Sequence, residues 1–273
     1  MTPLTPVDSF FLKREDLNPT GSAKDRAISL QVKHAQSSGF DTAVISSSGN
    51  AAISAAWHCH QAGLKLHVFV SDHISQSKLS AIKSLQPTKL IKTPRPISQS
   101  FVFAKQNHAY NLRQSTDPLA LVGYQQIGQE IISQLPLATS IFVPVGSGTT
   151  LLGISQSLPS NIKIIGVQPA CYSSLASAYS FPIAQETTTL TDSLSVKFHP
   201  LKNQIHQAVT RHQGTIITAS VDQNIAANQI LLGHQLSLAP EVGLALAAML
   251  RLRQLSPNLV EDYPVIISTG RQR

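Results

Sequence analysis

The chain has 273 residues, 42% of them hydrophobic, with 21 basic and 14 acidic side chains and a formal charge of +7. That length supports two modest α/β layers or lobes with a substantial core. No apolar run approaches a membrane span, and the start Met-Thr-Pro-Leu-Thr-Pro has neither the basic nor the apolar part of a secretory signal.

In chain order, residues 10–13 form an apolar strand, Asn18-Pro19-Thr20-Gly21 a turn, and 24–37 a helix with Ser22 as N-cap. Lys24 then lies in the first helical turn, where the dipole and free N–H groups disfavour a cation. That makes it a candidate amine nucleophile toward a carbonyl. A second strand (43–46) leads through Ser46, Ser47, Ser48, Gly49 and Asn50 into a helix over 51–61. Small hydroxyl residues and a glycine at such a junction expose backbone N–H groups, a receptor for a carboxylate.

Two further strand–helix pairs follow, 66–70 with 75–85 and 89–92 with 98–108. The polar, Pro-bearing stretch 112–118 then marks a lobe boundary, followed by a helix over 125–134. The strand 140–145 ends in Gly146-Ser147-Gly148-Thr149-Thr150, which opens a helix over 149–158. Its two glycines let backbone approach a phosphate, and Ser147, Thr149 and Thr150 add hydroxyl donors. Strands 163–167 and 215–218, helices 222–232 and 241–255, and a last strand 265–268 ending in Ser268 and Thr269 complete the pattern. Strands separated by helices imply mostly parallel α/β sheets.

Other features carry less. Lysines and arginines are scattered in ones and twos with no basic block, so neither a nucleic-acid partner nor a membrane surface is implied. Cys59 and Cys171 make no disulfide framework and read as small hydrophobes in a reducing, cytoplasmic setting. His58-Cys59-His60 places potential ligands two apart on a helix, on different faces, so no metal site is expected. His108, His199, His206, His212 and His234 share no spacing and read as surface or core residues.

The four loop segments, in this order, resemble the fold-type-II pyridoxal-phosphate enzymes, which include threonine synthase, threonine and serine dehydratases, cysteine synthase and the tryptophan synthase β subunit. The likeness runs from Thr2-Pro3-Leu4 to Thr269-Gly270. It implies two open, mostly parallel α/β lobes, a small one (20–120) and a large one (1–19 and 121–273), with pyridoxal 5'-phosphate between them. Lys24 of Gly-Ser-x-Lys-Asp-Arg would carry the cofactor and serve as the catalytic base. Ser46, Ser47, Ser48 and Gly49 would bind the substrate carboxylate, and Asn50 the cofactor's phenolic oxygen. Gly146, Ser147, Gly148, Thr149 and Thr150 would hold the phosphate, and Thr269, with Ser268 beside it, the pyridine nitrogen. Ala239-Pro240-Glu241-Val242-Gly243 resembles the family's Glu-Pro-x-x-Gly segment with its acid displaced by two positions, so Glu241 is a possible site residue.

The resemblance implies elimination or replacement on a small amino acid, and a homodimer. Lys24-Asp25-Arg26 and Ser47-Ser48-Gly49-Asn50 look more like threonine synthase or cysteine synthase than like dehydratases, and threonine synthase, which would turn O-phosphohomoserine into threonine and phosphate, is the first reading. Arg26 and Lys197 are then candidates for a second anion pocket. Thr191-Asp192-Ser193-Leu194-Ser195-Val196-Lys197 is instead similar to a dehydratase segment, which makes a threonine or serine ammonia-lyase the alternative. A cysteine synthase-like enzyme comes third, and a cofactor-binding protein with little catalysis is the other class.

Overall fold

The computed structural model describes residues 1–196 and 198–271. They divide into two compact units, Met1–Ala23 with Tyr124–Arg273 and Lys24–Gly123.

The first unit is built on a six-stranded sheet of order β1-β2-β10-β7-β8-β9. Its strands are β1 (Leu4–Val7), β2 (Phe10–Lys13), β7 (Ser140–Pro144), β8 (Lys163–Pro169), β9 (Thr215–Ala219) and β10 (Pro264–Ile267). Every pairing is parallel except β1 with β2. β7 and β9 are buried along their whole length, as strands covered on both faces must be. α9 (Pro240–Leu255) supplies one cover, packing Val242, Leu246 and Met249 with Phe142, Ile165, Ile217 and Ile266 into one apolar cluster. Gly243 lets α8 (Val221–Gly233) come close, since a Cβ there would meet the Asn228 side chain at 2.4 Å.

The second unit carries a four-stranded parallel sheet of order β5-β4-β3-β6. Its strands are β3 (Thr42–Ser46), β4 (Lys65–Ser71), β5 (Lys89–Thr93) and β6 (Tyr110–Asn111). α1 (Lys24–Ser37) and α2 (Asn50–Ala62) close one face, with Ile28, Val32, Ala52 and Ala55 packed on Ile45, Val68 and Val70. α4 (Pro96–Gln106) covers the other face through Phe103 and Ala104. α3 (Gln76–Lys83) is capped by Ser75, whose hydroxyl accepts from the Lys78 N–H. The stretch 112–118 is tied down by Asp117, which accepts from Gln31 Nε2 at 2.7 Å and from the Tyr110 hydroxyl at 2.6 Å.

Several elements depart from the sequence expectation. β1 and β6 are additional short strands, and α7 (Lys202–Arg211) is an additional helix. α7 buries Ile205 and Val209, an i,i+4 pair on one face of a short helix that is otherwise mostly polar. α5 spans Pro118–Gln134, starting at the Pro taken as a boundary residue, and α6 (Thr149–Ser155) stops short of 158.

Candidate active site

In the unit Lys24–Gly123, two of the expected segments open the paired helices α1 and α2. Lys24 is the first residue of α1 and is half-buried. The residue after it fastens the turn: Asp25, 3% exposed, accepts through Oδ1 from Ser54 Oγ at 2.6 Å and lies 3.1 Å from His58 Nε2. Ser54 and His58 lie one turn apart on α2, so this buried carboxylate ties the first turn of α1 to the helix that Asn50 begins. α1 is closely approached by α5 as well, since a Cβ on Gly123 would lie 2.3 Å from the Arg26 carbonyl oxygen. His58 is thus a partner of Asp25, and Cys59 beside it is buried, its thiol pushed up to about 12 by desolvation.

Ser46 ends β3, and the loop through Ser47, Ser48 and Gly49 is half-buried to exposed before Asn50 starts α2. Gly49 is the N-cap residue, and its own N–H donates to Ser47 Oγ at 3.2 Å. No side chain among the described residues caps α2, so the loop sets small hydroxyl residues ahead of an uncapped helix N-terminus, the kind of end that receives a small anion.

In the other unit, β10 and β7 are parallel neighbours, so the segments that follow them emerge at one carboxyl edge of the sheet. Ligands of open α/β sheets bind there. Gly148, at φ +87°, is in the left-handed region, and a Cβ on it would meet Ile205 Cδ1 of α7 at 2.2 Å. Only glycine fits. Thr149 and Thr150 are both buried, and the Thr149 hydroxyl lies 3.1 Å from that of Ser147. Gly146 lies under the dehydratase-like segment: a Cβ there would be 3.2 Å from the Ser193 carbonyl oxygen. Ser193 Oγ in turn donates to Glu241 in the first turn of α9, which ties Glu241 to this segment.

The hydroxyls after β10 differ from each other. Ser268 is fully buried and its Oγ has no hydrogen-bond partner among the described residues, while Thr269 is only half-buried. An orphaned buried hydroxyl is costly unless a ligand completes it. That favours Ser268 over Thr269 as the one awaiting a partner. Together, the glycine cradle, the hydroxyl pair on Ser147 and Thr149, and this orphan fit a phosphate-bearing ring compound. The expected N-cap role of Ser22 is not taken: its Oγ makes no hydrogen bond among the described residues, and its backbone bridges to Gly270. Lys197 falls outside the described residues, and among the described ones no group of acids, His and Cys could hold a metal. Nor is any described helix long and apolar enough to cross a membrane.

Comparison with known proteins agrees with this chemistry. The chain is 28% identical over 202 residues to an L-threonine ammonia-lyase of Geobacter sulfurreducens, covering 68% of this chain and 49% of that enzyme. It is 24% identical over 283 residues to serine racemase of Mus musculus, covering 96% of this chain and 81% of the racemase. The chain thus spans about half the length of the ammonia-lyase it matches. The structure of maize serine racemase superposes with a TM-score of 0.86 at 20% identity, covering 100% of this chain and 88% of that one, so the two share a fold. A family model described as pyridoxal-phosphate dependent enzyme matches residues 1–270, and the chain belongs to that family.

Proposed function

We propose that the chain is an ammonia-lyase acting on a small hydroxy amino acid, threonine or serine. The relatives favour this over the threonine synthase reading drawn from the Lys24-Asp25-Arg26 and Ser47–Asn50 motifs, because an L-threonine ammonia-lyase stands among them. The observation that carries it is the position of Thr191–Val196, whose dehydratase-like residues lie directly on Gly146 and hold Glu241 through Ser193.

When bound, pyridoxal phosphate supplies an electron sink that makes the substrate Cα–H acidic. Lys24 would hold the cofactor, and its amine is the group that would take the substrate Cα proton. The hydroxyls and N–H groups of Ser46, Ser47, Ser48 and Gly49 hold the substrate carboxylate, and Asn50 orients the ring. Gly146, Ser147, Gly148, Thr149 and Thr150 hold the phosphate, while Ser268 or Thr269 gives the pyridine nitrogen a neutral hydroxyl partner. Glu241, fixed by Ser193, stays close to the segment that covers Gly146. Threonine then yields 2-oxobutyrate and ammonia, and serine yields pyruvate and ammonia.

One preparation assayed with L-threonine, L-serine and O-phosphohomoserine tests this. The expected result is oxo acid and ammonia in equal amounts from the first two. Phosphate release from O-phosphohomoserine without oxo acid from either would overturn it. Reading the serine reaction for D-serine tests racemisation, which the 96% coverage by mouse serine racemase brings into view. Borohydride reduction followed by peptide mapping should label Lys24, and Lys24→Ala should remove the label; a label on another lysine overturns the assignment.

A further inference from the structure

The chain buries two charged side chains, at the end of β2 and just past it, that the chemistry above leaves without a role. Lys13 and Glu15 are both 0% exposed. Thr2 joins them: its carbonyl accepts from Lys13 Nζ at 2.7 Å, and its hydroxyl donates to Glu15 Oε1 at 2.5 Å. Lys13 Nζ also donates to Glu130 Oε2 of α5 at 2.6 Å. Burying charges is costly and adds little net stability, so what matters is what they hold in place.

Glu15 holds the turn that delivers Lys24. Its second carboxylate oxygen, Oε2, accepts from Asn18 Nδ2 at 2.6 Å, and the same amide nitrogen donates to the Glu15 carbonyl at 2.8 Å. The Asn18 carbonyl closes the turn by accepting from the Gly21 N–H at 2.8 Å, with Gly21 in the left-handed region at φ +81°. The next residues are fastened to the segment that follows β10. The Gly21 carbonyl accepts from the Arg271 N–H at 3.0 Å, Ser22 bridges to Gly270, and the Ala23 N–H donates to the Thr269 carbonyl at 3.0 Å. Lys24 comes next in the chain. Hydrogen bonds of 3.0 Å or less thus run from the buried carboxylate to the residue before the lysine.

We propose that Glu15, acting through Asn18, is a positioning residue for Lys24, setting the turn so that the amine meets the aldehyde of pyridoxal phosphate in a reactive geometry. This rests on the cofactor reading above. The step it serves joins the Lys24 nitrogen to the aldehyde carbon, and the carbonyl oxygen leaves as water with the two amine protons.

The rate at which Lys24 captures the cofactor decides the matter. It is read as the change in visible absorbance when protein stripped of cofactor is mixed with pyridoxal phosphate. The affinity of the same protein for inorganic phosphate is measured beside it. Glu15→Gln keeps the shape but loses one of the two acceptors, and Asn18→Ala removes the link to the turn. Both variants should slow capture by roughly tenfold to a hundredfold, the scale of a displaced reacting group. Both should leave phosphate affinity within about twofold, since the Gly146–Thr150 loop is a different segment. The double variant Glu15→Gln with Asn18→Asp reverses donor and acceptor across the same contact and should recover part of the rate. A role in stability alone would move the denaturant midpoint and not the capture rate of the folded chain. Should Glu15→Gln misfold, Asn18→Ala still answers, because that side chain is only half-buried. Capture at the wild-type rate in Asn18→Ala, or phosphate affinity that falls as far as the rate, would overturn the proposal and leave the cofactor reading intact. A wild-type chain that captured no pyridoxal phosphate on Lys24 would overturn the cofactor reading itself, and the role of Glu15 with it.

Discussion

Two glycines stand at the N-caps of two helices, Gly49 before α2 and Gly148 before α6, and they could hardly be less alike. Gly148 has a left-handed backbone and no room for a Cβ, with Ile205 against it and Ser193 over the neighbouring Gly146. Gly49 is at φ −127°, with nothing within 4 Å of where a Cβ would stand. One loop is set in shape by packing from α7 and the 191–194 segment. The other is an open run of hydroxyls and N–H groups. A loop that holds a resident cofactor gains from being preorganised, whereas one that admits and releases substrate must stay accessible.

The largest expected break in this contrast is Gly148→Asp. The added side chain meets Ile205, and its carboxylate opposes a phosphate, so cofactor uptake should be lost, as measured by visible absorbance after reconstitution. Even Gly148→Ala should cost about 1–3 kcal/mol of stability, through strain and overpacking. Next comes Asn50→Ala, which removes an orienting group from the open loop. It should leave uptake intact and lower kcat by about 100-fold, the scale set by misplacing reacting groups. Equal loss of cofactor in the Gly148→Asp and Asn50→Ala variants would erase the distinction between the loops.

A smaller effect comes from the buried face of α2, which begins as early as Ala52. Cys59, one turn beyond Ser54, is buried, and desolvation raises its thiol from 9.0 to about 12. A raised folded-state value adds stability that is complete below the unfolded value and declines as pH rises. Its contribution should therefore fall from about pH 9 toward about pH 12, by at most about 1.4 kcal/mol per pH unit. Denaturant melts of wild type and Cys59→Ala across that window check the slope, which the variant should flatten. The smallest effect is Gly49→Ala, expected to change stability by no more than about 0.5 kcal/mol. A large loss there would show that the open loop is tightly packed after all.

Much of the architecture is written in local signals. α1 spans 24–37 and β2 spans 10–13 as read from residue pattern alone, and the other paired strands shift only by one or two residues at their ends. The short β1 and β6 are missed because two to four residues carry too little periodicity, and β1 exists by pairing with β2. α7 is missed because its helical stripe is a single buried pair.

Local signals set the order of strand, loop and helix, and the family, because turn residues, caps and alternation act over a few neighbouring residues. Tertiary structure decided the rest. It left Ser22 uncapping, gave Asp25 the partners Ser54 and His58 from α2, and placed Ser193 over Gly146 and Ile205 over Gly148. It also buried Lys13 completely, with Glu130 Oε2 at 2.6 Å and the Thr2 carbonyl at 2.7 Å. The contacts from Asp25 to Ser54 and from Lys13 to Glu130 join residues 29 and 117 positions apart, beyond the reach of any local motif. Whether a polar side chain is satisfied or orphaned is settled only when the chain has closed around it and removed the water that would otherwise serve.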